Sequence, residues 1–132
     1  ADTDADADVD CDLDDLVFSV EMRSPDGTAC EACSSRVSLS IASLIANPCE
    51  EDLVFTTTDS CLVSSWEIID DSGMGMGMGV ICSPTITDWD IPAGDWIEDV
   101  TKWGPLSHGS YVVTVTFDDE ASTTASSRFT VK

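Results

Sequence analysis

The chain has 132 residues, of which 26 are acidic and 5 are basic, so its formal net charge is −21. This charge excludes nucleic acids and anionic membrane surfaces as default partners, because like charges repel, and it favours cations, basic partners or a salty medium. The length allows one domain with a sizeable hydrophobic core.

The chain begins with a strict alternation in which every even position from Asp2 to Asp14 is an aspartate. Side chains two apart lie on the same face of a strand, so the pattern predicts an extended segment with a row of carboxylates on one face. At Asp15 the alternation changes parity, which indicates a bulge or bend. We therefore divide the chain into an acidic N-terminal arm, residues 1–14, and a domain, residues 15–132. The apolar face of the arm comprises Ala5, Ala7, Val9, Cys11 and Leu13.

Beyond the arm, short alternating or β-branched runs are separated by turns rich in Gly, Pro and Asp, and no stretch shows a helical period. Strands at this spacing are typical of a sandwich of two sheets. We predict an all-β, immunoglobulin-like β-sandwich of seven to nine strands with an extended N-terminal strand arm. The predicted strands cover residues 16–22, 37–41, 53–58, 62–68, 80–82, 86–91, 96–103, 111–117 and 128–131.

The six cysteines predict three disulfides and an oxidising compartment, because the count is even and zinc-type paired spacing is absent. We expect Cys61 to pair with Cys82 across neighbouring strands and Cys30 with Cys33 within a loop. The remaining pair, Cys11 with Cys49, would tie the arm to the domain. The chain shows neither a signal peptide nor a transmembrane run, and its start at an alanine favours a processed protein that is secreted or held at the cell surface.

The aspartate row offers hard oxygen ligands of the kind that Ca²⁺ prefers. A straight strand, however, spreads these carboxylates too far apart for one ion, so we expect weak, diffuse calcium binding or only a solvated anionic face. The residues concerned are Asp4, Asp6, Asp8, Asp10 and Asp12.

Residues 73–79 alternate glycine and methionine, which places Met74, Met76 and Met78 on one face of an extended segment. Thioethers in this spacing can bind Cu(I). The alternative, which we favour, is a flexible hairpin arm whose methionines pack into a gap or against a neighbour and whose glycines allow close approach.

Catalytic residues are not predicted. His108 is the only histidine and lacks the motif that accompanies a nucleophilic serine. Acidic pairs are too frequent in this composition to indicate glycoside hydrolysis. The four tryptophans, at positions 66, 89, 96 and 103, can form a sugar-binding platform but are more typical of a sandwich core.

From residue 37 to residue 131 the chain resembles the BsuPI-like family, the intracellular proteinase inhibitor type of bacterial Ig-like domain. The resemblance implies an Ig-like fold and an inhibitor that presents a loop to a protease. Two features depart from the family pattern: its aromatic stretch is replaced by the Gly-Met run, and six cysteines do not suit an intracellular inhibitor. The matching positions are Asn47, Val54-Phe55, Trp66 to Asp70, Gly73, Pro92-Ala93-Gly94, Trp103 and Gly109-Ser110-Tyr111.

These observations predict a non-enzymatic extracellular structural protein. Residues 3–13 are expected to pair as a strand with a sheet edge of a neighbouring copy, as in donor-strand addition, and to build a filament head to tail. The predicted partners are copies of the chain itself, without nucleic acid or membrane insertion. Two alternatives stay open: a monomeric, surface-tethered module that binds protein or glycan, and a protease inhibitor of the BsuPI-like type. An arm that folds back on its own domain would look identical in sequence.

Overall fold

The computed structural model describes residues 11–132, so most of the predicted arm, with Ala5, Ala7, Val9 and the aspartates up to Asp10, lies outside the described residues. The bend predicted near Asp14 and Asp15 is a 3-10 turn, Leu13–Asp15. The Asp12 carboxylate accepts from the Asp14 N–H, and the Asp15 carboxylate accepts from the Asp12 N–H, both at 2.9 Å. Leu13 therefore belongs to this turn and is half exposed instead of continuing a strand, because the carboxylates satisfy the local backbone donors.

Ten strands follow this turn in the described part of the chain, and they form three sheets. One has the order β1-β3-β8, one the order β2-β10-β9-β5-β6, and the third pairs β4 with β7. All pairs are antiparallel except β2 with β10. The strands are β1 (Val17–Arg23), β2 (Ala32–Cys33), β3 (Leu39–Ala46), β4 (Leu53–Thr57), β5 (Val63–Asp70), β6 (Gly75–Gly79), β7 (Thr87–Ile91), β8 (Trp96–Trp103), β9 (Gly109–Phe117) and β10 (Thr124–Val131).

The core lies between the sheets, where alternate residues of β3 and β9 are fully buried. The Phe18 ring of β1 links the layers, with its centroid 4.9 Å from that of Phe117 and 5.6 Å from that of Phe55. Such edge-on aromatic pairs stabilise a core beyond their buried area. The prediction of an all-β, Ig-like sandwich is confirmed, with nine strands of five or more residues and the two-residue β2.

Two predictions in this region are wrong. Residues 80–82 were predicted to form a strand and do not, and residues 73–79, predicted to form a hairpin arm, contain a strand. The Gly-Met run itself is strand β6, paired with β5, and residues 80–86 form a loop. Glycine has low strand propensity, but pairing with a neighbouring strand overrides it.

Three disulfides join Cys11 to Cys49, Cys30 to Cys33 and Cys61 to Cys82, which are the pairs expected from the sequence. Near Cys49, the buried Asn47 side chain donates to the carbonyls of Glu51 and Ile91, each at 2.9 Å, and accepts from the Cys49 N–H. Among residues 11–132, no helix is long and apolar enough to cross a membrane.

Candidate functional site: an open sheet edge

Strand β6 ends the five-stranded sheet, and its only pairing partner among the described residues is β5. All five of its residues are exposed. The residues Met74, Met76 and Met78 are 73%, 54% and 55% exposed, although methionine is normally an interior residue. We call residues 74–79 the Gly-Met edge.

The backbone of the Gly-Met edge alternates between bonded and free groups. Asp70 N–H donates to the Met74 carbonyl at 2.9 Å, and Val80 N–H donates to the Ser64 carbonyl at 3.2 Å. In an antiparallel ladder, every second residue bonds to the same neighbour, so the methionines direct their backbone groups toward β5. Gly75, Gly77 and Gly79 therefore direct their N–H and C=O groups away from the sheet, where an added strand can bond to them.

The two faces of the Gly-Met edge differ sharply. Met76 lies opposite Ile68 and Met78 lies opposite Trp66 in the β5–β6 register, and residues directly opposite each other share a face. Ile68 and Trp66 are buried in the core. The methionines therefore continue the core-facing side of the sheet to a point where it is no longer covered. On the other face, β6 carries only its three glycines, so no side chain of this strand projects there.

Neither backbone conformation nor space in the domain explains the glycines at positions 77 and 79. Neither residue is among those with positive φ. A Cβ added at Gly77 would meet the Trp66 carbonyl oxygen at 3.6 Å, and one at Gly79 would meet the Ser64 oxygen at 3.9 Å, which are ordinary contacts. A strand glycine without such a reason often marks the close approach of another backbone.

The edge lies within the uncharged segment 72–87, in a chain whose residues are 23% charged. The loop that follows β6 exposes two large aliphatic side chains, Ile81 completely and Ile86 for the most part. The loop is held by the Cys61–Cys82 disulfide and by the Ser60 N–H, which donates to the Ser83 carbonyl at 3.0 Å. The exposed apolar surface is thus part of an ordered element.

The turn before β6 is fixed by one carboxylate. Asp70 accepts from the backbone N–H groups of Ser72 and Met74, both at 3.0 Å, and from the Ser72 hydroxyl at 2.6 Å. These hydrogen bonds, the hydroxyl bond first, lower the pKa of Asp70. Gly73 completes the turn with a φ of +87°, a conformation that favours glycine.

The other edge strands are protected. Charged residues occur in β1, β7 and β8, and charges on an edge oppose the addition of a strand. In β1 and β8 two of them are paired: Arg23 donates to both Glu98 carboxylate oxygens, at 3.0 and 3.1 Å. Strand β2, at the other edge of the five-stranded sheet, has only two residues, which is too short to accept a strand. Strand β4 is uncharged, but the 3-10 turn contacts it. Among the edge strands of residues 11–132, the Gly-Met edge is thus uncharged, longer than β2 and exposed at all six of its residues.

The described residues give little support to a metal centre. Three potential ligands come together twice, at Cys11, Asp15 and Cys49 and at Asp59, Cys61 and Cys82. Both groups contain a disulfide, whose sulfurs are not thiolates and do not ligate metals. The Asp12 carboxylate, the described member of the proposed calcium row, caps the 3-10 turn.

The tryptophans do not share one surface. Trp66 is buried in β5, Trp89 in β7 donates its indole N–H to the Thr57 hydroxyl at 3.0 Å, and Trp96 is exposed on β8. A further feature, the approach of Asp59 to Asp118, has no local pattern that predicts it. Burial and then the neighbouring Asp59 raise the pKa of Asp118, while the hydrogen bond from Asp118 lowers the pKa of Asp59.

No family model and no curated protein match this chain. Solved structures with a similar course of the backbone include the CARDB domain of PF1109 from Pyrococcus furiosus, which was crystallised in complex with di-metal ions. The two sequences are 14% identical and the TM-score is 0.41, and the match covers 98% of this chain and 100% of that chain. The β-glucosidase EmGH1 from Erythrobacter marinus is another, at 10% identity and a TM-score of 0.41, with 89% of this chain and 16% of that chain covered.

Proposed function

We propose that this chain is a non-enzymatic extracellular structural protein that assembles with copies of itself. The connection adds residues 3–10, the part of the predicted arm that precedes Cys11 and the 3-10 turn, as a strand to a sheet edge of the next copy. The observation that carries the proposal is that free sheet edges occur in a chain that begins with a strand-patterned arm. The three disulfides support an oxidising, extracellular location.

Energetics favour pairing over loose adhesion of the arm. Ordering the backbone costs about 1–2 kcal/mol per residue, and the row of aspartates adds about 2 kcal/mol of repulsion at moderate salt. Hydrogen bonds to an edge strand and burial of the apolar face offset these costs. A contact between the arm of one copy and the edge of the next uses two different surfaces, so its repetition produces an open filament unless the rotation between copies closes a ring.

Deletion of residues 1–10, which keeps Cys11, tests the proposal. We expect the deleted chain to keep its circular dichroism spectrum and to stay monomeric in light scattering and electron microscopy, at concentrations where the full chain forms long assemblies. The matched point variants are Val9→Asp, which places a charge on the apolar face and abolishes assembly, and Val9→Ala, which retains it. Unchanged assembly of the deleted chain would exclude the arm as the connector.

A second candidate function, a monomeric surface module that binds protein or glycan, is supported by an open cleft on the five-stranded sheet. The cleft has a volume of about 470 Å³ and is lined by Ile69, Asp70, Tyr111, Arg128 and Phe129, among others. The Tyr111 ring stacks on Phe129 with centroids 5.4 Å apart. A full chain that remains monomeric at millimolar concentration and high salt would favour this candidate.

A further inference from the structure

We infer that the acceptor for the arm is the Gly-Met edge of a neighbouring copy. The inference rests on the proposed function and names the surface that the proposal leaves open. The occupant is the segment of residues 3–10, which precedes the described part of the chain.

The backbone of the edge fits this occupant. The three glycines of the edge, Gly75, Gly77 and Gly79, occupy every second position. Each directs its N–H and C=O groups outward, where an added antiparallel strand can bond to them. The five residues of β6 span about 17 Å, and the eight residues 3–10 span about 26 Å when extended, so the arm can cover the whole edge.

The side chains fit as well. An added strand whose odd residues lie beside the methionines places Ala5, Ala7 and Val9 on the uncovered, core-facing side of the sheet, next to Met76 and Met78. The even residues, all aspartates, then lie on the glycine face, where the absence of side chains leaves the carboxylates hydrated. The arm and the edge thus match in period, in polarity and in side-chain size on both faces.

The charges also favour this edge over the others. Within β6 and the loop behind it, residues 72–87 carry no carboxylate to repel the aspartate row. By contrast, β7 contains Asp88 and Asp90, and β8 contains Glu98 and Asp99. Like charges brought together on neighbouring strands destabilise their pairing.

The test is a pair of full-length variants at one position. Gly77→Pro removes a single outward N–H and leaves the bonds to β5 in place, because those bonds come from the methionines. Gly77→Ala adds a single methyl group, for which the structure has room, and keeps the N–H, so it controls for the loss of the glycine. We expect Gly77→Pro to require about tenfold higher protein concentration for assembly, which corresponds to the loss of one hydrogen bond at the upper end of its usual net contribution. Gly77→Ala is expected to assemble like the natural chain, and thermal melting checks that both variants fold.

A second pair addresses the apolar face. Met76→Glu introduces a charge where the arm would pack, whereas Met76→Leu preserves an apolar side chain of similar size. We expect the first to weaken assembly at least about tenfold and the second to change it less than about threefold. This pair decides the question if Gly77→Pro fails to fold.

Mixing full-length variants separates the inference from the proposed function. A chain with Val9→Asp keeps an intact edge, and a chain with Gly77→Pro keeps an intact arm, so their mixture should stop at a one-to-one complex.

If Gly77→Pro and Met76→Glu assemble normally while Val9→Asp does not, the arm uses another edge and only the inference fails. If Val9→Asp assembles normally, the proposed function fails. If Val9→Asp alone assembles and both edge variants do not, the edge pairs with another Gly-Met edge, which overturns the inference.

Discussion

Single residues of this protein show where charge is tolerated and where it is costly. One carboxylate oxygen of Asp118 is buried and has no hydrogen-bond partner among the described residues. A buried acceptor without a partner costs free energy, more so when it is charged. The same environment raises the pKa of Asp118, first through burial and then through Asp59.

The first prediction is that Asp118→Asn raises the melting temperature at pH 7. A raised pKa in the folded state means that folding favours the protonated acid, so the natural chain gains stability as pH falls through the folded pKa of Asp118. The advantage of the variant should therefore shrink as the pH is lowered below that pKa. Melting curves from pH 3 to pH 8 measure it, with Glu120→Gln, at an exposed position, as the control. An advantage that stays constant over this range would contradict the assignment.

At the scale of one element, the β5–β6 hairpin depends on its turn. Asp70→Ala removes three hydrogen bonds that hold Ser72 and Met74. We therefore expect a lower melting temperature and faster amide exchange at Met76 and Met78, whose N–H groups face β5. Asp71→Ala, in the same turn, serves as the control. Because the pKa of Asp70 is lowered in the folded state, its contribution is present at neutral pH and disappears as pH falls through the folded pKa. Equal exchange rates in the two variants would show that the turn does not depend on this carboxylate.

The loop after β6 yields a third prediction. The Cys61–Cys82 disulfide closes a loop with a sequence separation of 21. Replacing both cysteines by serine should lower the free energy of unfolding by about 3 kcal/mol, because the unfolded chain regains the entropy of that loop. Urea titration measures the change. The same treatment of Cys30 and Cys33, whose separation is only 3, should have a smaller effect.

The elements also show what sequence reasoning can reach. Alternation is sufficient to find β9, because each inward residue from Val113 to Phe117 is apolar. It is insufficient for β6, whose glycines and methionines have low strand propensity and which exists through its pairing with β5. The free backbone groups at Gly77 and the meeting of Asp59 with Asp118 depend on sheet order and loop packing, which no local pattern contains.

For the whole molecule, a net charge of −21 sets the response to salt. Mutual repulsion opposes both folding and association, and 1 M salt shortens the screening distance to about 3 Å. We expect the melting temperature and the extent of assembly to rise with NaCl. Calcium chloride at equal ionic strength distinguishes general screening from calcium binding: a further increase would support ions bound by the aspartate row, and no increase would leave screening as the cause. A melting temperature independent of salt would contradict both.

The Cys11–Cys49 disulfide has a mechanical consequence for such an assembly. Tension applied through residues 1–10 reaches Cys11 and passes through a covalent bond to Cys49, so β1 need not peel away from β3 to bear the load. From Cys49 the force spreads through the buried Asn47, whose side chain connects the end of β3 with the end of β7. Pulling a chain of such domains should therefore break the non-covalent contact between copies before it unfolds any one of them.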